Sequence, residues 1–158
     1  MNNPEINIRK ATAVDIETVI NLGSMLQDDS KLYEPNITFD RKEAVKHYSA
    51  ELNNDDALII VAEIDNKIIG YQYSYITKLD YLSTQNIECT FEAIILLPEY
   101  RSKGIGKQIT TVSEKWAVQD KKANRISATI YSGNTTSEQL HLNEGFKPHS
   151  TSYVKLIP

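Results

Sequence analysis

The residues of this sequence that most clearly could bind a ligand form a glycine-containing turn at residues 101–106, Arg-Ser-Lys-Gly-Ile-Gly. This turn lies between an apolar and an amphipathic segment. Glycine lets the backbone turn sharply and approach a ligand with no Cβ in the way. Backbone N–H groups at the start of a helix point outward, and the helix dipole favours negative charge there. Arg101, Lys103 and Lys107 add positive charge. The turn therefore predicts a site for an anionic group such as a phosphate, although two glycines in a turn also fit a structural role.

Two other phosphate-binding motifs do not fit this turn. A P-loop requires glycine five residues before its Gly-Lys pair and Ser or Thr after it, and this chain has Arg101 and Gln108 at those positions. A dinucleotide fingerprint requires a third glycine where this chain has Ile109. Both motifs are therefore excluded.

The charge is unevenly distributed along the chain. The whole sequence has a net charge of −4, whereas the segment from Glu99 to Arg125 holds seven basic and three acidic residues. A basic segment on an acidic body favours an anionic ligand at one place and a cationic ligand elsewhere. An ordinary solvated helix face with lysines is the alternative. The overall charge argues against general nucleic-acid binding.

Length and composition predict a single domain over residues 1–158. A chain of 158 residues with 41% hydrophobic residues can bury a sizeable core without a disulfide or metal. No apolar run is long enough for a membrane span, the N-terminus is unlike a signal peptide, and we expect a cytoplasmic protein. The lone Cys89 is expected to be a buried apolar residue, and His47 and His149 lack partners at metal-ligand spacing. We therefore expect no metal site.

The apolar periodicity predicts a mixed α+β fold, with the element order β-α-α-β-β-β-α-β-α-β. Thr12 with Asp15, and Asp40 with Glu43, are typical of helix N-termini, and Asp65-Asn66 is typical of a hairpin turn. The strands are expected at residues 6–8, 57–64, 67–78, 87–97, 125–131 and 151–156, and the helices after residue 12 and at residues 40–52, 104–121 and 135–143.

Three separated motifs together resemble the GCN5-related N-acetyltransferase (GNAT) superfamily. The run from Glu92 to Gly106 closely resembles the acetyl-CoA-binding motif of that family. Asn134, Leu140 and the Gly145-Phe146 pair match its closing pattern in spacing, and residues 8–15 look like its first strand and helix cap. The resemblance covers nearly the whole chain. It implies one GNAT-like domain with a central, mostly antiparallel twisted sheet, a splayed pair of strands and about four flanking helices.

The resemblance also implies the cofactor-binding residues. In the family the glycine turn wraps the pyrophosphate of coenzyme A, and the strand before the turn offers main-chain groups to the pantetheine arm. The backbone N–H of Leu96 would face the thioester carbonyl and stabilise the developing oxyanion. The residues that this implies for acetyl-CoA are Leu96, Arg101, Ser102, Lys103, Gly104, Ile105, Gly106, Lys107 and Asn134.

Glu92 is the candidate general base. The acceptor amine must lose a proton before or during attack, and Glu92 lies nine residues before Arg101, where many family members carry an acidic residue. A period of two places Glu92 on one strand face with Glu88, Ile94 and Leu96, so desolvation is expected to raise its pKa. Anchoring of a substrate ammonium and a structural ion pair are the alternatives.

His141 is where this chain departs from the family. The resemblance places the usual general acid, a tyrosine, four residues before the Gly-Phe pair, and this chain has His141 there. Histidine could donate a proton to the leaving thiol, or it could be a packed helix residue. A thiol pKa of about 8.5 makes release as thiolate cost only about 1.4 kcal/mol near pH 7.5, so the absence of tyrosine need not abolish activity.

The sequence thus predicts an acyltransferase that moves acetyl directly from acetyl-CoA to a primary amine of a small molecule. Acetylation of a protein N-terminus or lysine, and a non-catalytic acyl-CoA-binding module, are the alternatives. Three tyrosines at a period of two could line the acceptor cleft or pack, and three acids after the first helix could attract a cationic acceptor or be solvated. These residues are Tyr71, Tyr73 and Tyr75, and Asp28, Asp29 and Glu34. A homodimer through the C-terminal strand also fits the pattern.

Overall fold

One sheet of five strands organises the part of the chain that the computed structural model describes, residues 5–81 and 84–155. Helices α1 and α2 follow the first strand, α3 lies between the fourth and fifth strands, and α4 follows the fifth. The strands are β1 (Asn7–Lys10), β2 (Ala57–Ile64), β3 (Lys67–Tyr81), β4 (Thr84–Leu96) and β5 (Arg125–Ala128), and the helices are α1 (Ile16–Ser30), α2 (Arg41–Glu51), α3 (Ile105–Lys115) and α4 (Thr135–Asn143). This order confirms the predicted α+β fold.

The strands lie in sequence order, β1-β2-β3-β4-β5. The first four are antiparallel neighbours, whereas β4 and β5 are parallel because α3 crosses between them. Asp65 and Asn66 connect β2 to β3 with φ angles of 50° and 61°, the left-handed values that a tight hairpin requires.

Each face of the sheet is covered by helices, which explains why β2 is apolar without interruption from Ala57 to Ala62. On one face, α3 packs Ile105 and Ile109 against Ile60 and Phe91. On the other, α1 packs Val19 and Leu22 against alternate residues of β2 and β3, among them Val61 and Tyr71. A strand with both faces buried needs apolar residues at every position.

The predicted caps at the two first helices are confirmed. Asp15 accepts the backbone N–H of Thr12 at 2.8 Å, and Asp40 accepts the backbone N–H of Glu43 at 3.1 Å. Arg9 holds the buried carboxylate of Asp15 with hydrogen bonds of 2.7 and 3.0 Å, which ties β1 to the start of α1.

The end of the chain differs from the prediction. The expected strand at residues 151–156 is wrong over residues 151–155, which form no strand and are all exposed; residue 156 lies outside the described residues. A strand exists only by pairing, and within the described residues no strand lies beside this segment. The fifth strand is also shorter than predicted, ending at Ala128.

Candidate active site

The turn between β4 and α3 has the backbone geometry of an anion cradle. Gly104 has φ 74° and Ser102 has φ 60°, so the chain passes twice through the left-handed region before α3 begins at Ile105. A Cβ built on Gly104 would meet nothing within 4 Å, so this glycine is needed for its dihedral angle and not for close packing. The first N–H groups of α3 have no acceptor within the helix and are free to bind an anion.

The strands β4 and β5 separate next to this turn, which confirms the predicted splay. They pair only from Glu88 to Phe91 on β4, whereas β4 continues to Leu96. The gap opens into a cavity of about 850 Å³, here called the larger cavity, between the end of β4, the turn and α4. Its lining includes Ile94, Leu96, Arg101, Ser102, Gly104, Gly106, Lys107 and Asn134.

Leu96 turns its backbone toward the larger cavity. In the β3–β4 pair, the N–H of Leu97 donates to the carbonyl of Ile69 at 2.8 Å, and Leu96 is opposite Gly70. Opposed residues of an antiparallel pair alternate between those that exchange hydrogen bonds and those that do not. Leu96 is therefore in a pair that does not, and its N–H and C=O point away from β3 into the splay. The carbonyl accepts the Nε–H of Arg101 at 2.9 Å.

Arg101 and Lys107 are basic side chains of the larger cavity, and each is paired with an acid. The guanidinium of Arg101 also pairs with Asp29 of α1 at 3.1 Å, and Lys107 lies 3.6 Å from Glu144 of α4. Both acids line the same cavity. The exposed Lys103 lies over the ring of Tyr100 at 5.6 Å.

The other residues that were predicted to bind the cofactor differ in whether the side chain or only the backbone can reach a ligand. Asn134 caps α4 by accepting the N–H of Ser137 at 3.2 Å, which leaves its NH₂ group available at the larger cavity. Ile105 is buried in the core, so only its backbone can contribute. Sequence reasoning missed Tyr33, which lines this cavity and stacks on Tyr131 with ring centroids 5.7 Å apart. Nothing in the spacing of these two tyrosines indicates that they meet.

A bulge in β4 determines where Glu92 points. Tyr73 is opposite Ala93 but Ser74 is opposite Phe91, so Glu92 is an extra residue without a partner on β3. A bulge of this kind places two successive side chains on the same face and then resumes the alternation.

The predicted face of Glu92 is therefore wrong. Ile94 and Leu96 pack on the α3 face of the sheet, whereas Glu92 lies on the α2 face, in a second cavity. Glu92 is exposed, so the desolvation expected of an acid on an apolar strand does not occur. The prediction assumed that side chains alternate regularly along β4, and that assumption cannot reveal a residue inserted by a bulge.

The second cavity, here called the smaller cavity, has a volume of about 350 Å³. It is lined by His47 and Glu51 of α2, Asn54, Asp56, Tyr73, Tyr75 and Ile76, together with Glu92. Sequence reasoning did not single out Glu51 or assign His47 to a site, although their spacing of four residues on one helix could have indicated a shared face.

The three alternating tyrosines share one face of β3 as predicted, the face that α2 covers, but they differ in surroundings. Tyr71 is fully buried and its hydroxyl lies 2.9 Å from that of Tyr48, so it packs. Tyr73 donates to Glu51 at 3.1 Å and lines the smaller cavity with Tyr75. Burial raises the pKa of both Tyr71 and Tyr73, so each remains a neutral hydrogen-bond donor.

His141 is buried away from both cavity linings. Its Nδ1 lies 2.7 Å from the carbonyl of Ser137, which can only accept, and its ring meets Phe146 edge-on at 5.1 Å. Cys89 is also buried, and burial raises the pKa of its thiol to about 12. Among the described residues no group of His, Cys, Asp and Glu side chains is placed to hold a metal ion. None of the helices in residues 5–81 and 84–155 is long and apolar enough to span a membrane.

The splayed sheet, the anion cradle and the inward-facing backbone of β4 define an α+β domain with room for an anionic ligand next to a strand end. Comparison with known proteins identifies the family. Residues 23–146 match the Acetyltransferase (GNAT) family model, which covers most of the chain. The chain belongs to the GNAT family of acetyltransferases and is an acyltransferase whose co-substrate is acetyl-CoA.

Solved structures share this fold at low sequence identity. The aminoglycoside N-acetyltransferase AAC(6')-Iy in complex with CoA has a TM-score of 0.79 and 20% identity, over 99% of this chain and 97% of that one. A mutant of the BH1408 protein from Bacillus halodurans has a TM-score of 0.85 and 17% identity, over 96% of this chain and 99% of that one. An aminoglycoside acetyltransferase from an uncultured soil metagenomic sample has a TM-score of 0.71 and 15% identity, over 97% of both chains. No curated protein matches the sequence.

Proposed function

We propose that this chain transfers the acetyl group of acetyl-CoA directly to a primary amine of a small-molecule acceptor, with both substrates bound at once and no acyl-enzyme. The observation that carries the proposal is the position of the two cavities on either side of the β4 bulge. Leu96 lines the larger cavity and Glu92 lines the smaller one, four residues away on the same strand. The structural similarity to aminoglycoside acetyltransferases supports a small-molecule acceptor.

The larger cavity fits the co-substrate. The cradle formed by Ser102 and Gly104 leaves open space where a Cβ on Gly104 would point, and the free N–H groups at the start of α3 can hold a pyrophosphate. Arg101 and Lys107 supply countercharge, and the NH₂ group of Asn134 is a further donor. Bound acetyl-CoA supplies the acetyl group as an activated thioester.

The backbone N–H of Leu96 stabilises the negative charge that develops on the acetyl oxygen. Its direction is fixed by the β3–β4 register, so no reorganisation is needed during the reaction. Removing one such preorganised donor typically costs about 3 kcal/mol of barrier. Because the donor belongs to the backbone, every residue at position 96 except proline retains it.

Glu92 receives the proton of the acceptor ammonium, directly or through water. Its position on the bulge turns its carboxylate toward the smaller cavity and away from the core. If the carboxylate only anchored the ammonium, its loss would raise the KM for the amine. As a base, its loss lowers kcat.

The leaving thiol does not require His141 as an acid. What supports a packing role is its burial, its hydrogen bond to Ser137 and its contact with Phe146. Release of the thiol as thiolate costs only about 1.4 kcal/mol near pH 7.5. The non-catalytic alternative, which the missing tyrosine favoured, therefore loses its main support.

The test of the base is Glu92→Gln, with Glu114→Gln on the exposed face of α3 as the matched control. We expect Glu92→Gln to lower kcat by about tenfold or more, since general base catalysis contributes at least that much. The affinity for CoA, measured by calorimetry, should not change. A rate equal to that of the control at every pH from 6 to 9 would exclude Glu92 as the base.

The acceptor class is tested by competition. Release of free CoA thiol is followed with a panel of small primary amines, and lysine peptides are then added as competitors. Turnover of the small amines with no effect of the peptides supports the proposal. Turnover with peptides alone would make the chain a protein acetyltransferase instead.

A further inference from the structure

The smaller cavity has aromatic walls. The rings of Tyr73 and Tyr75 lie side by side with centroids 5.8 Å apart, and His47 meets Tyr73 edge-on at 5.3 Å. Aromatic faces attract cations and offer little to anions. The walls therefore favour a positively charged group with an apolar stem.

Two carboxylates of this cavity, those of Glu51 and Asp56, are held in place. Glu51 accepts hydrogen bonds from the hydroxyl of Tyr73 at 3.1 Å and from the amide of Asn54 at 3.0 Å. Asp56 is fixed by Lys121 at 3.2 Å. Together with Glu92 the cavity has three carboxylates, and Lys121 offsets one of them. A cation that enters meets acceptors that are already oriented, so little ordering is needed for binding.

The carboxylates of the smaller cavity are too far apart for a single ammonium group to contact all of them. Asp56 immediately precedes Ala57, which pairs with Tyr75 of β3, whereas Glu92 lies next to Ala93, which pairs with Tyr73. These two acids therefore flank β3 from opposite sides, and a spacing of about 4.8 Å between adjacent strands, together with their offset along β3, puts their backbones more than about 10 Å apart. One amine at Glu92 leaves the far side of the cavity negative.

We propose that the smaller cavity is a subsite for a second ammonium group, so that the acceptor is a diamine or polyamine and not a monoamine. The reacting amine lies at Glu92, and the second ammonium lies between Glu51, Asp56 and the ring of Tyr75. This inference rests on the proposed transfer to a small amine and specifies its substrate class. Aliphatic polyamines and amino sugars share the required chemistry.

Binding without acetyl-CoA is the first test. Calorimetry with the wild-type protein compares 1,4-diaminobutane with butylamine, and spermidine and neamine separate the aliphatic from the amino-sugar source. A charge-assisted hydrogen bond contributes about 1.5 kcal/mol or more, so we expect the diamine to bind about tenfold more tightly than butylamine. Equal binding of the two would overturn the proposal, whether or not the protein acetylates amines.

The second test locates the subsite by substitution. Glu51→Gln retains an acceptor for Tyr73 but loses the charge, and Glu43→Gln makes the same change on α2 outside the cavity. We expect Glu51→Gln to weaken diamine binding and raise its KM by about tenfold, with a much smaller effect on butylamine, which has no second ammonium. Asp56→Asn is the second variant if the first does not fold.

The outcomes separate the two proposals. An equal effect of Glu51→Gln and Glu43→Gln on diamine binding would exclude the subsite while leaving the acetyltransfer intact. Diamine binding that depends on Glu51, with no acetylation of any amine, would support the subsite and contradict the proposed acceptor chemistry.

Discussion

Arg101 and Asp29 form an ion pair of 3.1 Å across the mouth of the larger cavity. The same guanidinium donates from Nε to the carbonyl of Leu96 at 2.9 Å, so it joins the end of α1, the end of β4 and the glycine turn. We expect an anionic ligand in the cradle to compete with Asp29 for this guanidinium, which would couple binding of the co-substrate to the end of α1.

Asp29→Asn should tighten the binding of CoA. The variant removes the competing carboxylate, and exposed ion pairs are worth about 0.2 to 1 kcal/mol, so the gain should be up to about fivefold at low salt. Calorimetric titration of CoA measures it. Asp28→Asn is the matched control, because Asp28 pairs with Lys31 instead. Weaker binding in Asp29→Asn than in the control would show that Asp29 positions Arg101 for the ligand.

Two glycines of the turn should respond in opposite ways to alanine. Gly104 has φ 74°, so Gly104→Ala forces a left-handed alanine and should destabilise the fold by about 1 to 2 kcal/mol. A Cβ on Gly106 would meet Leu140 at 3.5 Å, an ordinary contact, so Gly106→Ala should leave the free energy of unfolding equal or higher. Urea unfolding measures both variants. An equal loss of stability would contradict a purely conformational role for Gly104.

Short sequence patterns correctly predicted the helix caps and turns, which depend only on residues close together in the chain. The caps at Thr12 and Asp40, the hairpin at Asp65-Asn66 and the glycine turn are each determined within about four residues of sequence, because a cap or turn is a short-range hydrogen-bond pattern. Their positions could therefore be read from the sequence with no knowledge of the sheet.

The errors arose where the structure depends on distant segments. The bulge at Glu92 is visible only in the register with β3, and it reversed the expected face. The strand predicted at residues 151–155 depends on a partner that the described residues do not provide. The burial of His141, which the sequence left open, depends on Phe146, which folds back against α4. The smaller cavity combines residues of α2, β3 and β4, so its composition follows from the packing of three elements.

Stability should fall in acid through Asp15. Hydrogen bonds from Arg9 lower the pKa of Asp15 from 3.8 to about 2, so its carboxylate is favoured in the folded state. The contribution of this carboxylate to the free energy of unfolding is fully present above pH 4 and is lost as the pH falls toward 2. The pKa shift corresponds to about 2 kcal/mol. Urea unfolding of the wild type and Asp15→Asn between pH 2 and 7 measures the difference. A difference that is the same at pH 2 and pH 6 would contradict this origin.

His141→Ala should reduce stability and spare catalysis. The substitution removes a buried ring packed on Phe146 and the hydrogen bond from Nδ1 to Ser137, so the free energy of unfolding should fall by about 2 to 3 kcal/mol. At a temperature where the variant stays folded, its kcat should remain within about threefold of wild type, whereas loss of the acid that protonates the leaving thiol would cost about tenfold, the equivalent of the ~1.4 kcal/mol needed to release it as thiolate. His149→Ala, at an exposed histidine, should change neither quantity. A large fall in kcat with a changed pH profile and unchanged stability would instead assign His141 as the acid that protonates the leaving thiol.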